Sequence, residues 1–130
     1  MTEARREAVE LTEAAALGAA ILNADARAGL VDALTPEAFL REAHRTVFEA
    51  LTAMHDAGEH VDQITLNDRL ARTGRVDEVG GLAAVWTLTG DGCPVPAAWR
   101  HYVSIVQREH ARRVRAAELR AELAELEGTS

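Results

Sequence analysis

The sequence has no lysine, so all 14 of its basic residues are arginines, and it has a single cysteine, Cys93. One thiol allows neither an intrachain disulfide nor a cysteine-based zinc site, and Cys93 reads as an inert loop residue. The missing lysine reads as coding bias, but it removes the G-x-x-x-x-G-K-[ST] phosphate loop and with it nucleotide hydrolysis of the usual kind. Gly80-Gly81 and Gly90-x-Gly92 lack the strand-before-helix setting of a dinucleotide loop and read as turns. Aromatic residues are 4% of the chain, which leaves Ala, Leu, Val and Ile to build the core and favours close-packed helices over a β-sandwich. No apolar run approaches the roughly 18–20 residues of a membrane span. Residues 1–7 lack the layout of a signal peptide, so a cytoplasmic protein is expected. Positive charge is also short. The net charge of −7 disfavours direct nucleic-acid binding through phosphates.

What is present is helical periodicity over 130 residues, 48% of them apolar and 27% charged, the make-up of one globular domain. The first helix spans about residues 3–23, with Leu11, Ala15, Gly18 and Leu22 on one side and Leu17 and Ile21 beside them. Gly18 weakens that helix by roughly 1 kcal/mol relative to Ala, which close approach of another helix would offset. A short second helix covers about residues 25–33. Thr35-Pro36-Glu37 reads as a fresh helix start, with Thr35 as cap and Pro36 at the first position. Residues 43–57 are the clearest amphipathic segment: Val47, Phe48, Leu51, Met54 and His55 share one face, and Gly58 stops it. Thr65-Leu66-Asn67-Asp68 reads as a capping box that opens a helix to about residue 73. A turn at 77–81 leads to a short helix at 82–88. The Gly- and Pro-rich loop 89–96 then separates a helical head, residues 1–98, from a long final helix, 99–127, with a tail at 128–130. On that last helix Trp99, Tyr102, Val103 and Val106 form one apolar face and Leu119, Leu123 and Leu126 another. At about 100° per residue the two faces point apart, so the second face is expected to meet a partner.

Candidate chemistry is sparse. The five histidines have no shared helical face for a metal and read as surface or capping residues, so no metal or cofactor is expected. Glu3, Glu7 and Glu10, and later Glu118, Glu122 and Glu125, read as solvated helix-face networks and not as an acid–base pair. The best basic patch is Arg108, Arg112, Arg113 and Arg115, either a solvated face or a contact for phosphate or an acidic partner.

Five stretches in order carry a resemblance. They are Glu13-Ala14-Ala15-Ala16-Leu17-Gly18-Ala19-Ala20-Ile21-Leu22; Leu34-Thr35-Pro36-Glu37-Ala38-Phe39 followed by His44-Arg45-Thr46-Val47-Phe48; Gly58-x-x-Val61-Asp62-x-Ile64-Thr65-Leu66 with Leu70 and Gly74; Val79-Gly80-Gly81-Leu82-Ala83; and Tyr102-x-x-Ile105-Val106-x-x-Glu109. Across about residues 10–115 the chain resembles the N-terminal domain of DnaB-type replicative helicases. The family's acidic opening is half kept, with Leu11 where its first Glu would stand.

The resemblance implies an all-α bundle of about six helices with a long C-terminal helix. It also implies structural roles for Leu17, Gly18, Phe39, His44, Phe48, Leu66, Gly80 and Gly81, and the dimerising, primase- and loader-contacting role of that domain. The second arm of the family's helical hairpin and the RecA-like motor are not in this sequence. Met1 and the lack of tag residues are read as those of a natural short protein, for which unwinding is not expected. The chain is therefore expected to be a non-catalytic interaction module of DNA replication. It would be a homodimer through Leu119, Leu123 and Leu126, with Arg112 and Arg113 near the contact and replicative helicase, primase or helicase loader as partners. The alternative is a small helix–turn–helix DNA-binding regulator over residues 46–73, with Arg69 and Arg72 on its second helix.

Overall fold

Alanine packing makes the first helix the axis of the molecule. In the computed structural model, which describes residues 1–129, α1 (Glu3–Leu22) begins at Thr2, whose hydroxyl accepts from the Arg5 N–H, and is buried continuously from Ala15 to Ile21. Side chains this small let helices approach on several sides, and α1 touches most of the later helices. Gly18 is the tightest point. A Cβ there would collide with the Leu88 carbonyl oxygen and the Cys93 side chain, so the close approach expected at Gly18 is that of the end of α6. The stripe drawn from Leu11 to Leu22 is corrected at both ends. Leu11 and Leu22 are exposed, and the face turned inward carries Val9, Glu13, Leu17, Ala20 and Ile21.

Asn23 caps α2 (Ala24–Ala33) by accepting from the Ala26 N–H at 2.9 Å. The fresh helix expected at Pro36 is only a 3-10 turn, Pro36–Ala38, and Thr35 makes no side-chain cap there. Phe39 explains the break. It is fully buried, packs against Phe48 with 5.0 Å between the tilted rings' centroids, and leaves the turn in extended conformation, so the chain must bend before α3 (Glu42–Asp56) can start. Val47, Phe48, Leu51 and Met54 of α3 enter the core as their spacing requires, and Gly58, at φ 69°, ends the segment.

The next cap lies one turn earlier than the sequence reading had it. Asp62, not Thr65, is the N-cap of α4 (Gln63–Arg72): the Asp62 carboxylate accepts from the Thr65 N–H at 2.8 Å and the Thr65 hydroxyl accepts from the Asp62 N–H at 2.9 Å. Gly74 closes α4, and a single helical turn, α5 (Val76–Val79), leads through Gly80 and Gly81 at φ 95° and 99° into α6 (Ala83–Thr89). A second 3-10 turn, Pro96–Ala98, delivers the chain to α7 (Trp99–Thr129). Among the described residues there are no strands, and six of the helices have seven residues or more.

The 31 residues of α7 span about 46 Å at 1.5 Å per residue. Its first half is fastened to the head. Val103 and Val106 join the core, and Trp99 lies against Gly29, where a Cβ would strike the indole. Arg5 of α1 donates to both Glu109 oxygens, at 2.9 and 3.1 Å, and Arg113 donates to the Ala38 carbonyl at 2.8 Å. Past Ala116 every side chain described on α7 is exposed.

Candidate functional site

The distal end of α7 carries the expected leucines on its surface: Leu119 is 48% exposed, Leu123 56% and Leu126 69%. Their spacing of four and three puts them on one stripe, the narrow seam by which a helix packs lengthwise on another. The arginines before them are largely engaged within the chain. Arg113 holds the Pro36–Ala38 turn to α7, while Arg108 and Arg112 lie 3.4 and 4.0 Å from the Glu109 carboxylate and Arg115 lies 3.3 Å from Glu118. Arg112 is thus the more exposed of the two arginines placed near the contact, and Arg113 faces its own head.

The residues singled out by the resemblance lie in the head. Leu17, Phe39 and Leu66 have no exposed surface, and Phe48 is buried beside them. Gly80 and Gly81 sit in the left-handed region, which glycine adopts without strain. His44 corrects the reading of the histidines as surface or capping residues. It is buried, and its Nδ1 lies 2.8 Å from the carboxylate of Glu13, which is itself 0% exposed. The same carboxylate accepts from the Leu40 and Arg41 N–H groups. Glu13 thereby satisfies the backbone donors freed where the chain bends between Phe39 and α3. Its place between Val9 and Ala16 on the inward stripe is a signal the sequence contained: a lone carboxylate on an apolar face needs buried donors.

Of the remaining histidines, His55 and His110 are half-buried. His60 bonds Asp62 at 2.9 Å in the open, and His101 is exposed. Among the described residues no three His, Cys, Asp or Glu side chains are grouped to hold a metal. Cys93 is buried behind Gly18, and burial pushes its thiol pKa above the ordinary value. On the helix proposed to read DNA, Arg69 lies 3.7 Å from Glu59 and Arg72 2.9 Å from Asp68, so carboxylates hold both guanidinium groups.

Fold and surfaces together define an all-helical head with a helical arm projecting from it. That architecture has a known family. The family described as DnaB-like helicase N terminal domain matches residues 7–108, and the chain belongs to it. The chain is 35% identical over 97 residues to the replicative DNA helicase DnaB of Geobacillus stearothermophilus and 33% identical over 97 residues to the replicative DNA helicase DnaC of Bacillus subtilis (strain 168). Each match covers 75% of this chain and 21% of the helicase, so the chain spans about a fifth of the length of these curated relatives. The crystal structure of the N-terminal domain of DnaB helicase from Mycobacterium tuberculosis superimposes with a TM-score of 0.81 at 31% identity, covering 92% of this chain and 85% of that one. No helix among the described residues is long and apolar enough to cross a membrane.

Proposed function

We propose that this chain is a non-catalytic protein-interaction module of DNA replication that acts in the cytoplasm. Its head, residues 1–98, carries a long final helix, residues 99–127, whose first half packs on the head and whose second half pairs with a second copy and helps to dock a replicative helicase, primase or helicase loader. The observation that carries this reading is the arm itself: α7 continues for about 20 Å beyond Ala116, and Leu119 and Leu123 lie on its surface, with Leu126 in line. Burying a leucine is worth about 1.5–3 kcal/mol, and association costs about 4–15 kcal/mol, so a three-leucine seam supports a modest dimer and not a permanent one. Arg112 lies at the base of that seam, and Arg113 donates to the Ala38 carbonyl of the head. Family membership supplies the setting in replication. No cofactor enters this reading.

The test is capture of purified replicative helicase, primase and loader from the organism of origin on the immobilised chain. Retention of at least one, reduced by Leu119→Glu/Leu123→Glu, is expected. Failure to retain any of the three overturns the assignment.

A further inference from the structure

Between the end of α2 and the outer face of α3 the head has an open trough of about 390 Å³. Leu34 and Phe48, both buried, lie at its floor, and Val31, Pro36 and Ala53 line it half-buried. Along α3 the lining residues Glu49, Thr52, Ala53 and Asp56 stand at i, i+3, i+4 and i+7, one helix face over two turns or about 10 Å. The Thr52 hydroxyl donates to the Phe48 carbonyl of its own helix at 2.9 Å. The middle of this face therefore offers apolar contact, and charge is confined to its two ends.

Both ends are acidic. Among the described residues Glu49 and Asp56 are the charged groups of the lining, and no arginine stands with them. Glu49 shares the Arg75 guanidinium with Glu78, at 3.4 and 2.9 Å, so one cation answers two carboxylates. Asp56 has no ion pair or side-chain hydrogen bond among the described residues. It is also the last residue of α3, where the helix dipole disfavours a carboxylate and where His55 is the one basic neighbour in the turn. The last turn of α2, beside the same trough, holds Asp32 and no basic residue. Acids at the ends of both wall helices work against the stability of the chain alone. A cation supplied from outside reverses that penalty.

The geometry points to the α2–α3 trough as the docking site for a short basic amphipathic helix of a partner protein. Two arginine or lysine side chains seven residues apart on that helix meet Glu49 and Asp56, and an apolar side chain between them packs on Ala53 and Phe48. The spacing follows from the carboxylates, because seven residues of a facing helix cover the same two turns. Charge complementarity selects this occupant over a second copy of this chain, whose exposed arm beyond Ala116 carries Glu118, Glu122, Glu125 and Glu127 against Arg120 alone. The inference rests on the chain being an interaction module, but no residue of the trough belongs to α7 or its leucine seam.

The probe is a fluorescent helical peptide with two arginines seven residues apart and leucines between them. Its control has the same composition with the second arginine moved two positions, which turns it to another side of the helix. Anisotropy titration of the full chain is expected to show saturable, salt-sensitive binding of the first peptide, about tenfold tighter than the control, whose equal charge corrects for general attraction to an acidic protein. Asp56→Arg is expected to weaken binding about tenfold while the melting temperature holds or rises, because an arginine suits the end of a helix. Ala53→Arg, which fills the trough and adds a cation, is the second variant and is expected to abolish saturation. Leu119→Glu/Leu123→Glu should leave binding unchanged, so failure of the arm and failure of the trough are told apart. No saturable binding, equal binding of the two peptides, or undiminished binding by both trough variants overturns the proposal. So does a change in oligomeric state in Ala53→Arg, which would make the trough a contact between copies.

Discussion

Glu13 has no exposed surface and accepts hydrogen bonds from two backbone N–H groups and the His44 ring. Removing a buried charge leaves its donors desolvated and unpaired, a loss larger than the bond energies alone. Glu13→Ala is therefore expected to cost about 3–5 kcal/mol of stability, read as a lowered urea midpoint, and a loss near zero would contradict the assigned role. Glu109 makes a pH-dependent contribution. Burial pushes its pKa up, but the Arg5 hydrogen bonds and charge, with Arg112 and Arg108, together outweigh that and hold it below the ordinary 4.5. A folded-state pKa lower than the unfolded one means that the stabilisation is fully present above the unfolded value and disappears as pH falls through the folded value. Melting temperature measured from about pH 7 to about pH 3 should fall more steeply for the natural chain than for Glu109→Gln, and parallel curves would contradict it. Both carboxylates were visible in the sequence as matched motif positions. Their partners were not, because Leu40 and Arg5 come from segments 27 and 104 residues away.

At the scale of elements, periodicity located the helices well wherever one face is apolar and the other wet, as in α3. On α1 it located the helix but not its inward face, because seven successive residues from Ala15 to Ile21 are buried and several apolar stripes could be drawn through them equally well. Terminus chemistry gave a mixed result. Thr35-Pro36 has the residues of a helix start, yet burial of Phe39 outweighs local propensity and leaves a 3-10 turn. Thr65 does belong to a capping box, but as the reciprocal third residue and not as the cap. Gly18 was legible as a close approach, and its partner was not. Gly18→Ala gains about 1 kcal/mol of helix propensity but drives a methyl group into the Leu88 backbone, where overpacking costs about 1–3 kcal/mol. The expected net effect is a lower melting temperature, and a rise would show that α6 can move away.

At the scale of the molecule, the two apolar faces of α7 have separate surroundings. One completes the core through Val103 and Val106, and the other leaves the head with Leu119, Leu123 and Leu126 at the surface. This division was legible in the sequence, because helical phase alone turns residue 119 well away from residue 106. What sequence could not supply was the part played by Arg113, which reads as one member of a basic patch and in fact ties α7 to the Ala38 carbonyl. The account depends most directly on the arm finding company. Sedimentation of the unaltered chain across the micromolar range is expected to show a monomer–dimer equilibrium, with dimer prevailing at high micromolar concentration and Leu119→Glu/Leu123→Glu remaining monomeric throughout. An unaltered chain that stays monomeric at high micromolar concentration would contradict it.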